Sequence, residues 1–134
     1  MRTLTGLEAI RNILDPIHGS IPITPIENKV ISTPLFQRLR KITQLSQGPL
    51  VFPGATHNRF QHSLGTMHIM DKLLNTLEQK GKLPDKEKKY KKVVQSTRLA
   101  ALLHDCGHLP FSHTFENEYK EENINHEFFS RCMI

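Results

Sequence analysis

At 134 residues the chain has the length of one ordinary domain, large enough to bury a core, so residues 1–134 read as one domain. A formal charge of +5, with 23% charged residues, favours anionic partners, polyphosphates as readily as nucleic acid. The two cysteines, Cys106 and Cys132, form no CxxC pair, and no stretch approaches the roughly 20 apolar residues that span a bilayer. That excludes a disulfide scaffold and a membrane span and leaves a soluble protein of the reducing cytoplasm or nucleus.

In chain order, Thr5-Gly6-Leu7-Glu8 opens a short helix that Asp15-Pro16 stops, because the residue before proline is pushed out of the helical region. Ile17 to Ile23 alternates around Gly19 and reads as a small β-hairpin or extended turn, with Pro22 at an edge. Thr24-Pro25 and Thr33-Pro34 each join a capping hydroxyl to proline at the first helical position, so two helices start there. The second turns Leu35, Phe36, Leu39 and Ile42 inward. From Gln44 to Asn58, glycine and proline at intervals predict a loop with one short strand, Leu50-Val51-Phe52.

Helical periodicity returns at Phe60, Leu64, Met67, Leu74 and Leu77, with Gly81 placed as a stop. His62 lies off that stripe, on the side of Ile69 and Leu73, which suggests a helix buried on two faces. The lysine-rich segment 82–92 reads as a solvated helix start rather than a nucleic-acid contact. The helix that follows is apolar from Val93 to Leu103 and ends near Gly107, and a last apolar helix opens at Asn125-His126.

The chemistry concentrates in His62, the adjacent pair His104-Asp105, and His108, His113 and His126. Imidazole nitrogen with carboxylate oxygen suits Fe, Mn, Co, Ni or Zn, an ion that polarises phosphoryl oxygens. Adjacent residues on a helix point about 100° apart, so His104 and Asp105 share one ion only where the helix is ending, and Gly107 provides that end. The ligand atoms of His62, His104 and Asp105 are then expected within about 6 Å of one another, close enough for one ion at about 2 Å from each. No aspartate follows Asp105. His18, His57 and His68 read as structural or surface groups.

The strings DPIHGSI from Asp15, TPLFQRLRKITQL from Thr33, VFPGATHNRFQHSLG from Val51 and LLHDCGHLPFSH from Leu102 resemble the HD-domain phosphohydrolases. Within that family they are similar to the deoxynucleoside triphosphate triphosphohydrolase branch. The resemblance covers roughly residues 12–130, and four ordered motifs are far more specific than a lone HD dipeptide.

The resemblance implies an all-α HD helical bundle with a small N-terminal β-hairpin, and His62, His104 and Asp105 as ligands of a divalent ion (Fe, Mn, Zn, Co or Ni, with Mg accompanying the nucleotide). It implies that His108 and His113 engage the α-phosphate and protonate the departing 5′-oxygen, with Glu116 behind that acid and His126 completing the catalytic histidines. Arg59 would contact phosphate, Gln44 and Leu45 would pack on the deoxyribose, and Gln37 with Arg40 would belong to an activator site. Ser32 stands where the mammalian member of the branch has an aspartate.

The reaction implied is hydrolysis of a deoxynucleoside triphosphate to deoxynucleoside and inorganic triphosphate, by a protein expected to be a homo-oligomer when complete. Members of the branch draw a further aspartate ligand from beyond the last histidine, and the terminal helix here stops within an apolar pattern. The chain is therefore read as the N-terminal part of an HD domain. The alternative is a truncated or degenerate module that binds nucleotides or a partner subunit without turnover.

Overall fold

The computed structural model describes residues 2–83, 88–110 and 126–133. The chain divides into two compact units, residues 1–31 with 64–102, and residues 32–63 with 103–134. His113 and Glu116 lie outside the described residues.

The first unit opens with an antiparallel hairpin, β1 (Arg11–Asp15) and β2 (Gly19–Ile23), in the register Arg11↔Ile23 to Asp15↔Gly19. The hairpin around Gly19 is found as expected, but its first strand falls where a helix was predicted. The Asp15 carboxylate accepts the amides of Ile17 and His18 at 2.9 and 2.8 Å, making a side-chain turn, and Gly19 takes φ 71°. Those local bonds commit the segment to a reversal rather than a helix. Pro22, which has no N–H to donate, is tolerated because the sheet has only two strands.

Helix α1 (Pro25–Ile31) starts at the expected capping site, where the Thr24 amide donates to Glu27 Oε2 at 2.9 Å and the Glu27 amide to Thr24 Oγ1 at 3.4 Å. Two long helices complete the unit, α3 (Arg59–Gln79), whose first turn lies in the second unit, and α4 (Lys88–Leu103). Gly81, at φ 65°, follows α3 as its stop. Leu7, Leu74, Tyr90 and Val94 form an apolar cluster with Met70 and Leu83 against it. Each such buried side chain contributes about 1.5–3 kcal/mol. The face of α3 that carries Ile69 and Leu73 is not buried: these residues are 55% and 49% exposed, so the helix has one core face rather than two.

Beside that cluster lies a fully buried ion network. Arg98 Nε is 2.7 Å from Glu27 Oε1, its other nitrogens reach Glu27 Oε2 and Asp71 Oδ2 at 2.9 Å, and it donates to the Pro22 carbonyl at 3.0 Å. Asp71 also accepts the Leu4 amide and the Thr5 hydroxyl. One arginine thereby ties α1, α3 and β2 to α4. Burial opposes its charge, but the hydrogen bonds and charges of Glu27 and Asp71 outweigh that and raise its pKa.

The second unit contains α2 (Pro34–Gln37), capped by Thr33 Oγ1 on the Phe36 amide, and a 3-10 turn over Arg38–Lys41. Phe36, Leu39 and Ile42 are buried as the pattern demands, and the Phe36 and Phe60 rings meet edge to face at 5.5 Å. Leu50-Val51-Phe52 forms no strand. It begins on the last residue of a short 3-10 turn, Gly48–Leu50, and its residues are 70–81% exposed. Helix α5 (His126–Met133) belongs to this unit. No helix among the described residues is long and apolar enough to cross a membrane.

Candidate metal centre

The start of α3 is fixed by a reciprocal cap: the Asn58 amide donates to Gln61 Oε1 and the Gln61 amide to Asn58 Oδ1, both at 3.0 Å. Backbone bonds from Arg59 to Ile42 and from Gln44 to His57 anchor the same turn. Arg59 and His62 thus project from a pinned helix end. On the other side, α4 finishes at Leu103 and tightens, with Cys106 N bonded to the Leu103 carbonyl and His108 N to that of Asp105. The helix gives out where His104 and Asp105 need it to, and both side chains turn to the same point.

That point is the Asp105 carboxylate. Oδ1 lies 3.3 Å from His104 Nε2 and 3.6 Å from His108 Nε2, while Oδ2 lies 3.4 Å from His62 Nε2 and 2.6 Å from the Arg59 guanidinium. The His62 and His104 rings stand edge to face at 5.2 Å. Asp105, Arg59 and His108 are buried, whereas the side chains of His62 and His104 are 36% and 38% exposed, so the cluster is reached from their side. Burial lowers the pKa of His62, and His104, Arg59 and His57 push the same way against Asp105. A neutral imidazole with a free lone pair is the form that ligates a metal.

Candidate ligand atoms of His62, His104 and Asp105 all lie within 4.8 Å of one another, inside the expected separation and near the span one ion bridges at about 2.1 Å per bond. The donor set, two imidazoles and a carboxylate, fits a borderline divalent cation. A second group, Asp105 with His108 and His126, meets the same criterion and shares the carboxylate. The His108 and His126 rings are stacked at 4.0 Å and 14°. Their convergence was implied in the sequence only by the family resemblance.

The other expected residues occupy the same unit. Arg40 Nε donates to Gln37 Oε1 at 2.8 Å and its guanidinium lies 3.6 Å above the Phe60 ring, so this pair is already in contact. Gln44 is half-buried and Leu45 is 53% exposed, on the loop before α3. Arg59 is 3% exposed and engaged with Asp105, so a phosphate at this arginine would share it with the carboxylate.

Sequence reasoning missed Arg38. Its guanidinium donates to the carbonyls of Cys106 and His108 at 2.5 and 2.7 Å. It also missed the packing of α5 on the HD turn. The Gly107 amide donates to Ser130 Oγ at 2.9 Å, and a Cβ on Gly107 would collide with the His126 carbonyl and the Ser130 amide. A glycine at a helix end signals a stop; nothing local signals close approach of a second helix.

The HD domain family model matches residues 59–134. The chain is 43% identical over 112 residues to deoxynucleoside triphosphate triphosphohydrolase SAMHD1 of Bos taurus, and 43% over 113 residues to that of Homo sapiens, covering 84% of this chain and 18% of each relative. The crystal structure of a phosphohydrolase from Bacteroides thetaiotaomicron is similar with a TM-score of 0.80 and 35% identity, over 92% of this chain and 30% of that one. The chain thus spans less than a third of the length of these proteins. With an HD pair at the end of one helix, a histidine from the start of another, and a family model covering both, the chain belongs to the HD-domain family.

Proposed function

We propose that this chain carries the metal-holding part of a phosphohydrolase that cleaves deoxynucleoside triphosphates into deoxynucleoside and inorganic triphosphate. The observation that carries the reading is the Asp105 carboxylate set among His62, His104 and His108 with Arg59 against it, in a chain similar to triphosphohydrolases of that substrate class. A divalent ion held by His62, His104 and Asp105, whether Fe, Mn, Zn, Co or Ni, supplies Lewis acidity toward a phosphoryl oxygen.

The chain's own residues do the rest by placement and charge. Arg59 offers its cation to the α-phosphate while orienting the Asp105 carboxylate it contacts. His108, stacked on His126, presents its ring beside the same phosphate. Water adds to the α-phosphorus and gives up one proton to solvent, the bond from phosphorus to the 5′-oxygen breaks, and that oxygen takes a proton from His113, with Glu116 behind it. Gln44 and Leu45 pack on the sugar, Mg accompanies the phosphates, and Gln37 with Arg40 bind an activating nucleotide within a homo-oligomer. This is intracellular chemistry. A module that binds nucleotide or a partner subunit without turnover is the second reading.

The test is product analysis by ion-exchange chromatography after incubating each deoxynucleoside triphosphate with Mn²⁺ and the protein in its full natural length. Inorganic triphosphate is the expected product. Release of monophosphate or pyrophosphate instead would overturn the reaction, and tight nucleotide binding without any product would favour the second reading.

A further inference from the structure

The backbone around the HD pair is held from two sides. Cys106 N and His108 N bond within the turn, to Leu103 and Asp105. The Gly107 amide goes to Ser130 of α5. The carbonyls on either side of Gly107, those of Cys106 and His108, both go to one guanidinium, that of Arg38 from the 3-10 turn after α2. Carbonyls released at a helix end are costly to leave unpaired when buried, and Cys106 and His108 are 0% and 2% exposed. A planar fork with fixed donor spacing satisfies two of them at once, which an ammonium on a flexible stem does not.

Asp105 is the residue immediately before this clamp, and His108 is inside it. A carboxylate must sit within about 0.5 Å of its productive position to serve as a ligand, and that accuracy comes from the groups that fix its backbone. We propose that Arg38 is a positioning residue for the metal centre: by clamping the Cys106 and His108 carbonyls it sets the placement of Asp105 relative to His62 and His104. This rests on the reading of those three residues as the metal-holding group. Its reach is through backbone, so it touches neither ion nor substrate.

The experiment is titration of the purified chain with Co²⁺, following the visible absorption of the bound ion and its affinity, for wild type, His104→Ala, Arg38→Lys and Ser130→Ala. Urea unfolding of each metal-free chain is measured alongside. Arg38→Lys keeps the charge and loses the fork. It should weaken Co²⁺ binding by about 10- to 100-fold, the usual effect of removing an outer-shell partner, and alter the absorption band while the metal-free unfolding midpoint moves little. Ser130→Ala, which loosens the same turn from the α5 side, should weaken binding in the same direction.

Co²⁺ affinity and absorption in Arg38→Lys equal to wild type would overturn the proposal. So would an Arg38→Lys chain that no longer folds together with a Ser130→Ala chain of unchanged affinity, since Arg38 would then act on stability alone. Failure of the underlying metal reading looks different: wild type binds no Co²⁺, or His104→Ala binds it as well as wild type.

Discussion

Replacing Arg98 by methionine removes the guanidinium that two buried carboxylates, Glu27 and Asp71, both contact. Glu27, Asp71 and Arg98 side chains are all 0% exposed, so water cannot take over the role of the guanidinium. Neutral donors remain: Gln95 and the Thr24 amide on Glu27, and the Leu4 amide and Thr5 hydroxyl on Asp71. They satisfy lone pairs but do not compensate charge. Breaking a buried pair from one side costs about 3–5 kcal/mol, a large share of the roughly 5–15 kcal/mol that holds a domain together. With a urea m-value of about 1–3 kcal/mol/M, the midpoint followed by far-ultraviolet circular dichroism falls by at least about 1 M. Adding Glu27→Gln to Arg98→Met should then recover part of the loss, because it removes one uncompensated charge. A midpoint shift below about 0.3 M, or a double variant less stable than Arg98→Met, would mean that the network is not what ties α1 and β2 to the long helices.

Gly107→Ala should displace α5 and disrupt the His108–His126 stack, destabilising the chain by about 1–3 kcal/mol or more in urea unfolding; an unchanged midpoint would contradict the close approach. Burial, then Lys72 and His18, hold the pKa of His68 below its ordinary 6.5, outweighing Asp71. The unfolded chain therefore binds the extra proton first, so this contribution is complete above pH 6.5 and is lost as pH falls toward the lowered pKa. The loss of stability between about pH 7.5 and 5.5 should be smaller in His68→Phe than in wild type, and an equal loss would remove His68 from the account. In the full-length protein, His104→Ala should abolish metal content and turnover together, whereas His113→Ala should keep the metal, measured by elemental analysis, and lower the rate by about 10²- to 10⁴-fold. Loss of metal in both would leave His113 without its role as proton donor.

Much of this molecule can be read from short-range rules. Thr24 with Pro25, Thr33 with Pro34, and Gly81 mark helix ends that the structure reproduces, because caps and positive-φ glycines act within four residues. Two segments were misread because their apolar residues do not report their pairing. β1 carries Leu14 at 82% exposure beside the half-buried Ile13, so its apolar residues do not alternate and the strand has no period to detect. Leu50-Val51-Phe52 has the composition of a strand but no neighbour to pair with among the described residues. Within the site, the convergence of His62, His104 and Asp105 was legible because ligand chemistry restricts the residue types. The bond of Arg59 to Asp105, and that of Arg38 to two carbonyls, were not, since a basic residue on a helix looks the same whether it faces solvent or a buried acceptor.

Whether one transition-metal ion sits among His62, His104 and Asp105 is open to direct observation by anomalous X-ray diffraction from crystals of the protein soaked in Mn²⁺. A single strong peak about 2.0–2.3 Å from an imidazole nitrogen of His62, one of His104 and a carboxylate oxygen of Asp105 is expected. A well-ordered site with no peak there, Arg59 still on Asp105 and the ion bound elsewhere, would contradict it.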